Sequence, residues 1–141
     1  MTCAPALLKF LGIRLSAALT ESKLHAEQRL FQAILLQALE DAVSTSGFKK
    51  ETYHKDEANR WFLEDSEDFK KVCWSADMDP EFVRGEYIRL CKQGKIRFSN
   101  IQLSWIRYRN LYKSYRMAAN KEERRTIKKL ILEENKKREV N

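Results

Sequence analysis

Aromatic and basic side chains alternate along one segment of the chain, residues 105–116. Aromatic rings stack on unpaired bases and basic side chains pair with phosphates, so this combination is typical of surfaces that bind single-stranded nucleic acid. The aromatic residues recur at helical spacing and share one face, formed by Trp105, Tyr108, Tyr112 and Tyr115. The basic residues point mostly to other faces and are candidate phosphate ligands, namely Arg107, Arg109, Lys113 and Arg116.

The aromatic stripe also has a second interpretation. A stripe at helical spacing commonly packs into a core or against a partner. The basic residues of the segment then stay exposed and are still able to bind phosphate. The pattern favours this interpretation over direct stacking on bases.

Basic residues also flank a narrow apolar stripe over residues 121–141. The stripe is Ile127, Leu130 and Ile131. The candidate phosphate ligands beside it are Arg124, Arg125, Lys128 and Lys129, and Lys136, Lys137 and Arg138 follow. Such a helix binds nucleic acid or a membrane surface, pairs with another copy, or is a solvated helix end. The stripe is too short for strong membrane binding alone.

The positive charge of the chain is confined to its C-terminal part. The formal net charge is +7, from 27 Lys and Arg against 20 Asp and Glu. Residues 1–99 hold 15 basic and 15 acidic side chains, whereas residues 100–141 hold 12 basic and 5 acidic ones. Such an excess suggests a polyanionic partner, which we expect to be nucleic acid, with DNA favoured, or an acidic protein. A solubilising helical face without a partner is the alternative.

Residues 66–92 have the spacing of a helix-turn-helix unit. Two short helical patterns are separated by a tight turn around Asp77, and Cys73 and Ala76 are small enough for close helix crossing. Asp77 stands where glycine is usual, and aspartate adopts left-handed conformations more readily than most residues. Arg84 falls in the first turns of the second helix, where such proteins contact bases, and is therefore a candidate nucleic-acid-binding residue.

The charges of this segment argue against simple DNA recognition by it. Residues 66–92 contain five basic and six acidic side chains. Acidic groups beside phosphates are repelled unless they are paired. A core built from three helices is therefore the alternative interpretation of the segment.

Support for catalysis or for a metal site is weak. Acidic residues cluster over 57–68, but exposed acids are common at helix starts, where the helix dipole stabilises them. His25 and His54 belong to no HExxH motif, and neither is paired with a cysteine at ligand spacing. We expect no catalytic residue, no metal and no cofactor.

Cysteine usage is typical of a cytosolic protein. The cysteines are Cys3, Cys73 and Cys91, and an odd number without CxxC spacing argues against a disulfide scaffold. Cys73 and Cys91 sit in apolar helical patterns, where a thiol packs as a small hydrophobe. No uninterrupted apolar run reaches the length of a membrane span. We expect a cytoplasmic protein without a transmembrane segment.

Composition and periodicity favour an all-α fold. The chain contains only 4 Gly and 2 Pro among 141 residues, too few for a turn-rich β-sandwich or barrel. Apolar residues at three- and four-residue steps predict six helices. The first four span residues 21–43, 55–63, 66–76 and 80–92, and Thr20 is the predicted cap of the first. The fifth runs from Ser99 or Asn100 to residue 119, and the sixth begins at residue 121. We divide the chain into an N-terminal arm or amphipathic helix (1–19), a helical core with the helix-turn-helix-like unit (20–98) and aromatic and basic C-terminal helices (99–141).

The same periodicity predicts which side chains form the core. The eight predicted core residues are Phe31, Leu35, Ala38, Trp61, Phe69, Val72, Val83 and Leu90. Phe82 and Tyr87 of the fourth helix are also expected to be buried. Because the apolar stripes continue past this core, we expect self-association through the aromatic stripe or through the stripe of Ile127, Leu130 and Ile131.

One part of the core segment, residues 55–89, carries a pattern of apolar and capping residues. Its elements are Glu57-Ala58, Trp61-Phe62, Ser66, Asp68-Phe69, Val72-Cys73, Ala76, Asp79-Pro80 and Val83-Arg84. The pattern resembles small proteins commonly encoded by bacterial phages and prophages. The resemblance implies a phage or bacterial origin and a compact helical, helix-turn-helix-like domain, and it implies no activity.

The expected function is that of a non-enzymatic nucleic-acid-binding or regulatory protein of phage or bacterial type. It would bind the phosphate backbone mainly through its C-terminal helices and act as a homo-oligomer. The alternative is a phage-type inhibitor or adaptor that binds an acidic protein through the aromatic helix or the basic tail.

Overall fold

The computed structural model describes residues 26–140, and these residues form six α-helices and no strand. The all-α fold class predicted from the sequence is therefore confirmed. The helices are α1 (Ala26–Val43), α2 (Lys49–Leu63), α3 (Glu67–Ser75), α4 (Pro80–Lys92), α5 (Asn100–Arg116) and α6 (Lys121–Val140). The predicted arm over 1–19, the predicted cap at Thr20, Cys3 and His25 lie outside the described residues.

The described residues divide into two compact units. The first contains residues 26–44 and 54–97, which include α1, α3, α4 and most of α2. The second contains residues 45–53 and 98–140, which include the start of α2 together with α5 and α6. Residues 45–53 thus cluster with the C-terminal helices rather than with the rest of the segment 20–98.

The apolar core of the first unit joins α1, α2, α3 and α4. Four of the eight predicted core residues are buried, namely Leu35, Phe69, Val72 and Val83. The other four are partly buried and pack against that core: Phe31, Ala38, Trp61 and Leu90. The prediction is therefore confirmed for the first four residues, whereas the other four are only partly buried. At its centre the rings of Phe62 and Tyr87 stack with centroids 4.3 Å apart.

The prediction that Phe82 is buried is wrong, because its side chain is 48% exposed. Successive residues of a helix are rotated by about 100° from one another, since the helix has about 3.6 residues per turn. The side chains of Val83 and Tyr87 are buried and fix the inward face of α4. Phe82 consequently lies to the side of that face and reaches solvent.

The ends of α3 and α4 follow the capping residues of the sequence. The Ser66 hydroxyl accepts a hydrogen bond from the Phe69 amide (3.2 Å), and the Asp79 carboxylate accepts one from the Glu81 amide (3.0 Å). Asp65 and Asp77, which precede and follow α3, have positive φ values of 51° and 61°. The tight turn at Asp77 and the burial of Met78 beside it agree with close packing of α3 and α4. The helix-turn-helix interpretation of this pair stays a prediction.

Helix α2 begins at Lys49, six residues before the predicted start at Lys55. The extra turns carry no apolar periodicity, so the sequence pattern misses them. The Thr52 hydroxyl donates a hydrogen bond to the Phe48 carbonyl (2.8 Å), which ties the first turn to the preceding residue. The early start matters because it places Lys49 and Tyr53 in the second unit.

Lys55 is a buried lysine, with 1% of its surface exposed. Its Nζ donates hydrogen bonds to the carbonyl oxygens of Ser44 (2.7 Å) and Arg97 (2.6 Å). Burial disfavours the charged ammonium and lowers the pKa of Lys55 to about 8. Lys55 thereby links Ser44, which follows α1, to Arg97, which is the last residue of the first unit.

Cys73 and Cys91 are free thiols in the first unit, Cys73 buried and Cys91 partly buried. Burial, assisted by the negative charge of Asp79, raises the pKa of the Cys73 thiol to about 12.

Over residues 26–140, no helix combines the length and the apolar character needed to cross a membrane.

Candidate nucleic-acid interface

The candidate site lies on α5 and α6, which pack against each other in the second unit. Ser99 caps α5 in a capping box: its hydroxyl accepts from the Gln102 amide (3.2 Å), and the Gln102 side chain accepts from the Ser99 amide (3.0 Å). At the start of α6 the Asn120 side chain accepts from the Glu123 amide (2.9 Å). Local side-chain bonds therefore fix where both helices begin.

A buried carboxylate, Glu134, holds the two helices together. It accepts hydrogen bonds from the Ser104 hydroxyl (2.8 Å), Arg107 Nε (2.9 Å) and Lys137 Nζ (3.3 Å). Burial alone would raise the pKa of Glu134, but these three donors and the Arg107 charge outweigh it and hold the pKa below its usual range. Part of the positive charge of the segment is thus neutralised inside the helix pair.

The aromatic stripe of α5 is present as a row of neighbouring rings. The centroid distances are 5.8 Å from Trp105 to Tyr108, 6.0 Å from Tyr108 to Tyr112 and 6.1 Å from Tyr112 to Tyr115. The guanidinium of Arg138 lies over the first two rings, 3.8 Å from the Trp105 centroid and 5.0 Å from the Tyr108 centroid. These two rings are therefore occupied by contacts with α6, whereas Tyr112 is 42% exposed.

Three of the predicted phosphate ligands on α5 have partners inside the second unit. Arg107 forms an ion pair with Glu134 (2.9 Å). The guanidinium of Arg109 lies 4.9 Å from the centre of the Tyr53 ring, and that of Arg116 lies 5.3 Å from the Tyr112 ring. Lys113, by contrast, is exposed to solvent.

Arg84 belongs to the first unit, whereas the other candidate ligands belong to the second. Its Nε and Nη2 donate hydrogen bonds to the Leu63 carbonyl, at 3.3 and 3.2 Å. Leu63 is the last residue of α2. The Arg84 side chain therefore satisfies a carbonyl at a helix end, where α-helices lack internal donors.

The predicted ligands on α6 are arranged differently, because they surround one depression on the surface. The depression has a volume of about 200 Å³ and is lined by Tyr115, Lys121, Arg124, Arg125 and Lys128. All four basic side chains are exposed. Over residues 26–140 none of them is in an ion pair or side-chain hydrogen bond with another residue. Lys129 is also exposed and follows Lys128 on the same helix.

Lys121 is the member of this cluster that sequence reasoning missed. It stands three and four residues before Arg124 and Arg125, and side chains at these spacings are neighbours on a helix. The spacing alone was therefore a sufficient signal. We call Lys121, Arg124, Arg125 and Lys128, with Tyr115, the basic cluster.

The basic cluster can bind an anion. Four cations around one depression create a local positive potential, and the partial positive charge at the start of α6 adds to it. Within residues 26–140 no group of three His, Cys, Asp or Glu side chains is placed to hold a metal ion.

Comparisons of the chain with protein-family models, with curated proteins and with solved structures give no match.

Proposed function

We propose that the protein is a non-enzymatic nucleic-acid-binding protein, with DNA as the favoured ligand, and that the basic cluster contacts the phosphate backbone. The observation that carries this proposal is the convergence of Lys121, Arg124, Arg125 and Lys128 on one depression. Cations that lack a carboxylate partner in the described part of the chain stay available for phosphate oxygens. Phosphate contacts supply most of the affinity of such proteins and little sequence specificity.

The division of charge between the two units supports the same proposal. Residues 45–53 and 98–140 carry 14 basic and 6 acidic side chains, whereas residues 26–44 and 54–97 carry 10 basic and 13 acidic ones. A polyanion is therefore attracted to the second unit and not to the first. The regulatory role and the phage or bacterial type are parts of the proposal that rest on the sequence pattern of residues 55–89.

The test is the salt dependence of binding to labelled duplex DNA, single-stranded DNA and RNA, followed by fluorescence anisotropy. If the protein neutralises about four to six phosphates, the logarithm of the affinity for B-DNA falls against the logarithm of salt with a slope of roughly −4 to −5. The absence of binding to any of the three nucleic acids at low salt would overturn the proposal.

A charge-reversal variant locates the binding surface. Changing Arg124, Arg125, Lys128 and Lys129 to Glu removes most of the affinity, because it replaces attraction for phosphate by repulsion. A matched control changes four exposed basic residues of the first unit to Glu, namely Lys71, Lys92, Lys95 and Arg97. The control alters the net charge by the same amount and retains most of the affinity. Equal losses of affinity in both variants would show that binding depends only on the net charge of the protein and not on the basic cluster.

Binding to an acidic protein is the second candidate function, and one observation favours it. Leu132 is 52% exposed on α6, four residues after Lys128 and three after Lys129. It therefore lies on the same side of the helix as these cations, and an apolar side chain among charged ones is typical of protein interfaces. Pull-down from the host with and without nuclease separates the candidates, because only protein partners survive nuclease. A Leu132→Ser variant loses such a partner but keeps DNA affinity.

We also propose that the protein self-associates through the exposed parts of the two apolar stripes. These parts are Tyr112 on α5 and Leu130 on α6, which are 42% and 43% exposed. Sedimentation equilibrium of the full chain would show a mass that increases with concentration. A Tyr112→Lys and Leu130→Lys double variant would shift the mass towards the monomer. A wild-type mass equal to that of the monomer at all concentrations would contradict self-association.

A further inference from the structure

A groove in the first unit, separate from the basic cluster, runs along α1, α2 and α3. Its volume is about 560 Å³. The apolar side chains that line it include Phe31, Ile34 and Ala38 of α1, Trp61 of α2 and Val72 of α3. Phe31, Ala38 and Trp61 pack against the apolar core, so the lining of the groove is a continuation of that core.

The rim of the groove is acidic. Asp41, Glu57 and Asp68 lie on it, and none of the described residues that line the groove is Lys or Arg. The Asp68 carboxylate accepts a hydrogen bond from the Trp61 indole nitrogen (2.8 Å), and Asp41 accepts one from Gln37 (3.1 Å). Apart from His54, the ionisable groups among the described lining residues are therefore carboxylates around an apolar surface. A matching occupant is apolar and carries positive charge.

We propose that the occupant is residues 5–19 of this chain. The segment contains large apolar side chains, including Leu7, Phe10, Leu11 and Ile13, and its only charged residues are Lys9 and Arg14. Its composition is thus complementary to the groove in both polarity and charge. Each large apolar side chain removed from water contributes about 1.5–3 kcal/mol.

Covalent connection favours this occupant over a separate molecule. Residues 20–25 separate the segment from Ala26, the first residue of α1, and six extended residues span up to about 20 Å. Ile34 lies eight residues into α1, which corresponds to about 12 Å along the helix. The connection is therefore long enough to bring the segment beside Ile34. A short linker also gives an effective concentration on the order of millimolar, which a dilute external partner does not reach.

Limited proteolysis of the full chain with trypsin tests this proposal, because trypsin cleaves after Lys9 and Arg14. A synthetic peptide of residues 1–25 serves as the unprotected reference. If the segment occupies the groove, both sites in the full chain are cleaved at least about tenfold more slowly than in the peptide, since cleavage follows the population of the open form. Equal rates in chain and peptide would overturn the proposal.

Variants of the groove show whether protection arises there. Ile34→Asp and Glu57→Lys change its lining and its rim, and each is expected to abolish most of the protection at Lys9 and Arg14. The matched controls are Leu30→Asp on α1 and Glu51→Lys on α2, which change exposed residues outside the groove and retain the protection. Circular dichroism confirms that each variant is folded before proteolysis. The same loss in the controls would assign the protection to another surface and contradict the proposal.

Protein concentration distinguishes the chain's own segment from that of a second copy. Protection within one chain is unchanged by dilution. Protection that disappears on dilution would mean that the groove takes the segment of another molecule, and this outcome would overturn the proposal as stated.

Discussion

The guanidinium of Arg138 lies 3.8 Å from the centre of the Trp105 ring. Arg138 is in the last turn of α6 and Trp105 is in the second turn of α5, so this contact joins the end of one helix to the beginning of the other. Arg138 Nη1 also donates a hydrogen bond to the Ser104 hydroxyl (3.1 Å), which itself donates to Glu134. The contact therefore belongs to the polar network that holds the two helices together.

Arg138→Gln should lower the free energy of unfolding by about 1–2 kcal/mol, because a partly desolvated cation–π contact is lost. Urea denaturation followed by circular dichroism measures this change. Arg125→Gln is the control, since Arg125 is exposed and lies in the basic cluster, and its effect should stay within about 0.5 kcal/mol. Equal stability of the two variants would show that the Arg138–Trp105 contact contributes nothing.

Glu134→Gln should destabilise the protein by about 1–3 kcal/mol at neutral pH, because the buried site loses hydrogen bonds between charged groups. The folded-state pKa of Glu134 lies below its ordinary value of 4.5. Its stabilising contribution is therefore complete above that value and is lost as the pH falls through the folded-state pKa. The difference between wild type and variant should shrink in acid. Glu133→Gln removes the same charge at an exposed neighbouring carboxylate and is the control variant.

Arg84→Ala should lower the free energy of unfolding by about 1 kcal/mol, because the Leu63 carbonyl loses its side-chain donor. DNA affinity should not change, since the proposed phosphate ligands are on α6. Thermal unfolding and anisotropy titrations on selected and random duplexes measure the two effects. A loss of sequence preference in this variant, with stability intact, would instead indicate that α4 reads bases in the major groove.

Lys55 should make the protein more stable as the pH rises from about 8 to 9. Its folded-state pKa is about 8 and its ordinary value is 10.5. In this window the unfolded chain holds a proton that the folded chain has released, so raising the pH favours folding. The slope for one proton is at most about 1.4 kcal/mol per pH unit. Urea denaturation at closely spaced pH values measures it.

Above pH 9 the trend should weaken and then reverse. The pKa of Cys73 rises from 9.0 to about 12 on folding, and burial also raises the pKa of Tyr87. The unfolded chain releases these protons first, so alkaline pH favours unfolding. Lys55→Met should abolish the rise between pH 8 and 9, whereas Lys92→Met, at an exposed lysine, should preserve it. A rise that persists in Lys55→Met would assign the effect to another group.

Most helix positions and part of the apolar core were predictable because both depend on local patterns. Ser66 and Asp79 cap α3 and α4 because their short side chains reach the amides of the following turn. Leu35 and Val83 are buried because they lie on the apolar faces of their helices. Phe82 marks the limit of such patterns: adjacent residues lie about 100° apart on a helix, and the sequence does not say which of Phe82 and Val83 the core covers.

The polar interior of α5 and α6 was not predictable. Gln102, Ser104 and Glu134 are buried, although none belongs to an apolar stripe. Their burial depends on partners distant in the chain, such as the Ser46 carbonyl that accepts from the Gln102 side chain (3.0 Å). The same dependence explains why the sequence pattern predicts the basic residues of 105–116 and 124–128 equally as phosphate ligands. Only three-dimensional contacts separate Arg107, which is paired with Glu134, from Arg124, which is in the basic cluster.

The positive φ values of Asp65 and Asp77 restrict which mutations this region can accept. Left-handed backbone costs little for glycine and is tolerated by asparagine and aspartate, whereas β-branched side chains clash there. In a saturation library selected for folding, Gly and Asn should therefore persist at both positions, and Val, Ile and Thr should be depleted. Both aspartates are exposed and neither belongs to the core. Evolutionary drift at these two surface positions is consequently limited by backbone geometry rather than by packing.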